Sequence, residues 1–427
     1  MKVYSFPRGG LSFEDTTVPS KEGCEVAYLP VFSVYPLVQP SGGRAYQVVS
    51  IGDSVKEGML IGRAGGPGSS NVHATVPGRV VRLTSWKDEE GRQIDALVIR
   101  MEGSFERLGK REELFPWGSM SSYDLQRIMA DYGVVEMEDS GRPVSEMLSS
   151  FRNAKEPLTL VVRCVFDDPW LAADYVLCRE RLKAVVEGSF IAARAGSKVS
   201  RIVFAVSYGE KELGDALLAE AGYSEIPCSL VLVGSRYPQR NLRELELVLR
   251  NYAKKENIDL GSLLMLGPAT LAAVYDAVKL KKPVLDRYIA VGGSAIKTPK
   301  VLKARVGTRL AELFAECGGF IDVPKRIAVG SPLSGRGVTD LNEPVEKTSY
   351  AVFAMQKWQT GIDTQRNCIS CGECRNVCPV ALDPEELYKQ AVNVNVSAAA
   401  QECHGCGCCE VVCPSFLPLS RVIKQHG

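Results

Sequence analysis

Nine of the fourteen cysteines fall in the last sixty residues, and their spacing restricts what the chain can fold into more than any other feature. The first set reads Cys368-Ile-Ser-Cys371-Gly-Glu-Cys374-Arg-Asn-Val-Cys378-Pro379. The second reads Cys403-His-Gly-Cys406-Gly-Cys408-Cys409-Glu-Val-Val-Cys413-Pro414. Both fit C-x2-C-x2-C-x3-C-P, the spacing that holds a pair of [4Fe–4S] clusters. Three closely spaced thiolates reach three irons of one cube, and the fourth, before proline, belongs to the other cube. This assigns Cys368, Cys371, Cys374 and Cys413 to one cluster and Cys403, Cys406, Cys409 and Cys378 to the second. Zinc and disulfides are the alternatives, but structural zinc sites use paired CxxC or Cys/His sets. Cys408 is left over and reads as a small buried residue, with a ligand exchange against Cys409 as the other reading. His404, beside a ligand, reads as a neighbour of the cluster or a solvent residue rather than a ligand. Between the sets, Asp383-Pro384-Glu385-Glu386 predicts a helix with an acidic cap and proline at its first position.

The rest of the chain is ordinary globular protein by composition. Charged residues make up 24% and hydrophobic residues 45%, and the length allows roughly two to four domains. With 51 basic against 50 acidic residues, nothing favours nucleic acid as a partner. No run approaches the roughly 18 apolar residues of a membrane span, and the first residues lack the apolar stretch of a signal peptide. Cys24, Cys164, Cys178, Cys228 and Cys317 are scattered singly, which fits a reducing cytoplasm.

Pattern divides the chain further. Residues 1–105 alternate in short strands around Gly-Asp, Glu-Gly and Pro77-Gly78 turns, and read as a barrel-sandwich hybrid of the biotinyl/lipoyl kind. No acceptor lysine stands at the turn, so no prosthetic arm is expected, and His73 reads as structural. Residues 106–125 read as a linker. From 125 to 280, apolar runs at 158–162, 202–206, 229–233 and 263–266 alternate with helical patterns at about 176–194, 211–221 and 240–254 and a helix opened by Pro268. That order predicts a Rossmann-like α/β domain with a mostly parallel sheet. Residues 284–345 read as a β-grasp unit: a strand at 286–291, a Gly292-Gly293 turn, a return at 303–306, a helix capped by Thr308, and a strand at 327–329. The loop Gly330-Ser-Pro-Leu-Ser-Gly335 reads as an ordinary tight turn, with an anion-binding nest as the second reading. Residues 360–427 hold the two cysteine sets, so the fold class is multidomain α/β and α+β.

This order of units resembles the C subunit of the Rnf ion-translocating ferredoxin:NAD oxidoreductase. The resemblance runs nearly end to end, through Phe6-Pro7-Arg8-Gly9-Gly10, His73-Ala74, Pro77-Gly78, Arg236-Tyr237-Pro238-Gln239, Lys282-Pro283, Arg287, Lys297-Thr298-Pro299 and the double cysteine motif. It implies an SLBB-like β-grasp, a ferredoxin domain, and a peripheral position on the cytoplasmic side of the cell membrane. Membrane subunits of an Rnf-type complex are the implied partners, with a soluble ferredoxin or flavodoxin as a further one. In that family the α/β domain binds FMN and NADH.

The resemblance fails where the flavin phosphate should bind. The family's glycine-rich loop becomes Tyr132-Gly133-Val-Val-Glu136-Met-Glu138-Asp139-Ser-Gly141. Asn-Gly-Ala-Glu at the strand end becomes Arg163-Cys164-Val165-Phe166, while Asp168-Pro169-Trp170 and Asp174 keep the pattern. Gly-Gly-Glu after Tyr-Pro-Gln becomes Arg240-Asn241-Leu242. Unless a cation bridges them, three carboxylates disfavour a phosphate by roughly 3 kcal/mol, about a hundredfold in affinity. The expectation is an electron-transfer subunit with two [4Fe–4S] clusters and no FMN or NAD site, the Gly133–Gly141 loop having lost it. A working FMN-dependent NADH dehydrogenase subunit and a non-catalytic ferredoxin-docking module are the two alternatives.

Overall fold

The computed structural model describes residues 2–14, 17–87, 91–105, 114–152, 156–356, 365–393 and 398–426. Part of the expected linker, 106–113, lies outside them. Four sheets and a small helical domain organise the rest.

The central sheet has five parallel strands in the order Val3–Tyr4, Cys228–Val233, Val199–Ser207, Leu158–Cys164 and Ser262–Leu266. All seven residues of Leu158–Cys164 are buried, because helices cover both faces of a parallel sheet. Leu158, Leu160, Val162 and Cys164 pack on one side, and Val161 on the other, as the two-residue strand period requires. Helices Leu182–Ala195 and Pro268–Lys279 approach so closely that a Cβ on Gly188 would collide with the carbonyl of Leu271.

The helix expected at about 176–194 is two helices, Ala172–Glu180 and Leu182–Ala195. The break is at Arg181, whose guanidinium makes a two-point bond to Asp276 at 2.9 and 2.6 Å. Periodicity did not register it because both helices bury apolar faces in the same hydrophobic cluster.

A six-stranded mixed sheet follows in the order Arg336–Gly337, Arg326–Val329, Ala351–Met355, Asp286–Gly292, Lys300–Arg305 and Glu25–Val26. Its interior strand Ala351–Met355 lies beyond residue 345, and its edge strand comes from the N-terminal segment. Residues 1–105 are therefore not confined to one unit: Val3–Tyr4 and Glu25–Val26 extend two neighbouring sheets. The helix after Thr308 spans Leu310–Glu316 with Arg309 at its cap position. Thr308 is buried and its hydroxyl caps nothing, while its carbonyl accepts from the amide of Val345, 2.7 Å away.

The barrel-sandwich consists of a four-stranded sheet (Phe32–Pro36, Gln93–Met101, Gly78–Lys87, Ser54–Val55) and a three-stranded one (Ala45–Gln47, Leu60–Ala64, Val72–His73). Tyr35, Ile61, Val76, Leu97 and Ile99 close its core. His73 is buried there, and loss of hydration, with Lys347 nearby, pushes its imidazole down to about 3, so it is neutral and structural.

Candidate functional site

The two cysteine sets fold into a pair of cavities. Cys368, Cys371, Cys374 and Cys413 line one, together with Ile369, Leu417 and Leu419. Cys403, Cys406, Cys409 and Cys378 line the other, with Leu382, Leu387 and Ile423. The first cavity thus takes three thiols from one set and one from the other, and the second repeats that pattern with Cys408 as a fifth. A [4Fe–4S] cube needs four thiolates, so each donor set matches its demand, and the apolar walls supply a low dielectric around it. Among the described residues no group of three or more His, Cys, Asp or Glu side chains is arranged to hold a metal ion; the thiols surround volumes instead of converging on one point. Cys408 is fully buried against the second cavity.

Local sequence builds both cavities. Gly372 and Gly407 adopt φ of +79° at the start of the short helices Glu373–Val377 and Cys408–Val411, turning each triplet around its cavity. Asp383 caps the helix Pro384–Val392 by accepting from the amide of Glu386 at 3.2 Å, as its sequence predicts. Glu385 then accepts from Ser370 at 2.7 Å and Arg375 at 2.8 Å, which ties the first loop to that helix.

Among the described residues, the second cavity is the one that faces the α/β unit. Tyr237 donates its hydroxyl hydrogen to the carbonyl of Cys406 at 2.7 Å. His404 bonds Glu244 through Nε2 at 2.9 Å and Asn241 through Nδ1 at 3.1 Å. The amide of Gly10 donates to Val377 at 2.9 Å. His404 is therefore a docking residue. Its imidazole is raised above the usual range: burial opposes the charge, but Glu244 outweighs it.

The crevice at the carboxyl ends of the parallel strands lies between Leu158–Cys164 and Ser262–Leu266, where the strand order reverses. The chain's own side chains fill it. Glu138 sits at the amino end of the Pro268–Lys279 helix, accepting from the amide of Thr270 at 3.1 Å and from its hydroxyl. Its carboxylate lies so near that a Cβ on Gly267 would collide with it. Glu136 accepts from the amides of Glu138, Asp139 and Ser140 at 3.1, 3.1 and 2.6 Å. Arg163 reaches both Glu136, at 3.3 Å, and Asp139, at 2.5 Å. Arg240 pairs with Asp174 at 3.3 Å and lies over the ring of Tyr350.

This corrects the electrostatic expectation. The carboxylates do not stand bare: Arg163 is the bridging cation, with Arg240 beside it. What distinguishes the crevice is that its anion-binding groups already have internal partners. Spacing along the sequence could not show this, since Arg163 reads as a substitution at a strand end and only the fold aims it at Glu136.

Three known-family models match the chain: the RnfC barrel sandwich hybrid domain at residues 5–104, the SLBB domain at 288–337, and the 4Fe-4S dicluster domain at 360–414. Among related proteins, the C subunit of the ion-translocating oxidoreductase complex of Rhodobacter capsulatus is 29% identical over 401 residues, spanning 92% of this chain and 76% of that protein. The C subunit of the proton-translocating ferredoxin:NAD(+) oxidoreductase complex of Clostridium ljungdahlii is 26% identical, spanning 90% of this chain and 86% of that one. Over nearly its whole length the chain is similar to RnfC subunits. A solved NAD+-reducing [NiFe]-hydrogenase shares its fold, with a TM-score of 0.52 and 13% identity over 73% of this chain and 61% of that chain.

In this RnfC-like chain, two further buried clusters escaped sequence reasoning. Lys347 donates to Ser70 at 3.1 Å and to the carbonyls of Asn71 and Gly133, both at 2.8 Å, joining the barrel-sandwich to the α/β unit. Burial pushes its amine down to about 7. The Gly330–Gly335 loop is a joint: the amide of Ser331 donates to Tyr350, and Leu333 packs on Gly407. No periodicity announces either contact.

Asp167 and Asp168 give a pH dependence. Burial raises their carboxyls to about 7 and about 8, with the Asp167 charge adding to the shift of Asp168. In the unfolded chain both ionise near pH 4. The folded form holds their protons longer, so their contribution to stability is complete below about pH 4 and is lost as pH rises through 7 to 8. The melting temperature is expected to fall between about pH 4 and 8 and to level off above that. Asp168→Asn, which keeps an acceptor for the amide of Trp170, should flatten that fall. An unchanged slope in anaerobic thermal melts of the variant would show that Asp168 is ionised throughout.

Proposed function

We propose that this chain is the electron-transfer subunit of an Rnf-type ion-translocating complex, holding two [4Fe–4S] clusters and no flavin. The reading rests on the two thiol-lined cavities, in each of which a cysteine of the other set joins the triplet. Cys368, Cys371, Cys374 and Cys413 would hold one cluster, and Cys403, Cys406, Cys409 and Cys378 the second. Bound there, such clusters supply one-electron transfer. The chain's own part is to hold them in apolar walls and to fix the second against the α/β unit through Tyr237 and His404. The names of the relatives, subunits of ion-translocating oxidoreductase complexes, support membership of such an assembly. Among the described residues no helix is long and apolar enough to cross a membrane. In this reading the chain attaches peripherally, on the cytoplasmic face, through the membrane subunits of the complex.

The filled crevice supports the absence of FMN and NADH. A phosphate is held at a helix amino end by backbone amides and hydroxyls. Here Thr270 serves Glu138, and the amides of residues 138–140 serve Glu136. A flavin phosphate would have to displace two buried carboxylates from the groups that satisfy them. The purified, anaerobically reconstituted chain is therefore expected to retain no FMN, to show no binding in an FMN titration, and to be reduced by dithionite but not by NADH. Micromolar FMN binding with rapid reduction by NADH would restore the dehydrogenase role.

A further inference from the structure

The loop Phe6-Pro7-Arg8-Gly9-Gly10 lies against the second thiol cavity. Gly9 has a left-handed backbone, φ +67°, and a Cβ placed on it would stand 2.6 Å from the carbonyl oxygen of Val377 and 2.8 Å from the carbonyl carbon and oxygen of Cys378. Its neighbour Gly10, φ +77°, donates its amide to Val377 at 2.9 Å. Glycine passes this close because it carries no side chain and tolerates positive φ, and the facing backbone cannot swing aside. Arg236 fastens the loop: its guanidinium donates to the carbonyls of Gly9 at 2.8 Å and Phe6 at 2.6 Å and lies over the Phe6 ring. Leu11 then pairs with Tyr237 through two backbone bonds, at 2.9 and 2.7 Å. The hydroxyl of that tyrosine reaches the carbonyl of Cys406. One connected unit therefore meets two cysteines of the second cavity, Cys378 from the first set and Cys406 from its own.

We propose that Gly9 and Tyr237 are positioning residues for the second cluster and pull its redox potential in opposite directions. This rests on the reading above that the cavity holds a [4Fe–4S] cluster. An added electron makes such a cube more negative, so solvent access and nearby donors decide how readily it is taken up. The glycine loop packs on the backbone of Cys378, which is 7% exposed, and limits water there. A low dielectric disfavours the extra negative charge. The Tyr237 hydroxyl turns the positive end of its dipole toward Cys406 and favours that charge. Loosening the loop should thus raise the potential, and removing the hydroxyl should lower it. A contact that only holds the domains together would not give shifts of opposite sign.

The test uses the full chain carrying Cys371→Ala, reconstituted anaerobically, so that the second cluster alone is read. It is titrated with dithionite through one-electron mediators and followed by electron paramagnetic resonance; each mediator gives up one electron, the cluster gains it, and no bond changes. At the midpoint of this parent, Gly9→Ala should raise the ratio of reduced to oxidised cluster about tenfold, a shift of about 59 mV for a one-electron centre. Tyr237→Phe should lower the ratio about threefold. Gly42→Ala, at φ +85° with nothing within 4 Å of its Cβ, carries similar backbone strain away from the cavity and should leave the ratio unchanged. Should Gly9→Ala fail to fold, Arg236→Gln unfastens the same loop and should raise the ratio likewise. Shifts of the same sign, an equal shift from Gly42→Ala, or a ratio within twofold of the parent for the loop variant overturn the proposal. A parent that holds about four irons while the variants show none of these shifts overturns the positioning role alone. A parent that binds no iron overturns the cluster reading itself, and the positioning role with it.

Discussion

Replacing Cys371 by alanine is expected to lower the iron of the reconstituted chain from about eight to about four atoms, with sulfide falling in step. Four thiolates hold one cube, and a cavity left with three retains its iron poorly. The exchanged fourth cysteine makes a sharper prediction. Cys413→Ala should remove the same cluster as Cys371→Ala, though it lies in the other motif, so the double variant should still hold about four irons. Cys378→Ala combined with Cys371→Ala should leave almost none. Were each motif to bind its own cube, these two outcomes would be interchanged. Cys408→Ala should keep both clusters, because its cavity already has four other thiols. Iron and acid-labile sulfide analysis, with electron paramagnetic resonance of the dithionite-reduced variants, separates the cases. Loss of a whole cluster from the Cys408 variant would mean that the ligand register is shifted by one residue.

The second large effect is expected at Arg163. Its guanidinium is almost wholly buried and bridges Glu136 and Asp139. Methionine would fill similar volume but leave Glu136 buried without its cation. Removing one partner of a buried ion pair costs about 3–5 kcal/mol, well above the surface-pair range. Burial and the neighbouring carboxylates Glu138 and Asp139 raise Glu136 to about 7, even with Arg163 in place. Without Arg163 the carboxyl should stay protonated to a still higher pH. The destabilisation should accordingly be largest near pH 8 and shrink toward pH 5, where a neutral Glu136 needs no cation. Denaturant unfolding at the two pH values measures the difference, and amide exchange across residues 134–141 locates it. A loss below about 1 kcal/mol at pH 8 would place Arg163 among ordinary surface pairs and remove the argument that the network holds the crevice closed.

What the sequence determined by itself lies where the signal is local. Cysteine spacing marks out the two thiol sets because three of a cube's ligands come from one tight loop and the fourth stands before the proline of the other set. Asp383-Pro384 predicts its helix because capping is settled within four residues. Apolar runs at 158–162 and 202–206 predict buried parallel strands because both faces of such a sheet are covered. Contacts between distant charged groups leave no such trace. Glu138 meets Thr270 across 132 residues, His404 meets Glu244 across 160, and Arg163 meets Glu136 across 27. From the sequence alone the three carboxylates are a repulsive patch. Only the tertiary structure aims Arg163 and the end of the Pro268–Lys279 helix at them and turns that patch into a self-satisfied core. The same holds for His404: spacing gives it the place of Ile369 in the other cysteine set, and packing alone sets it against Glu244 and Asn241. Charge pairing depends on where side chains end up in space, and their separation along the chain carries no period that could reveal it.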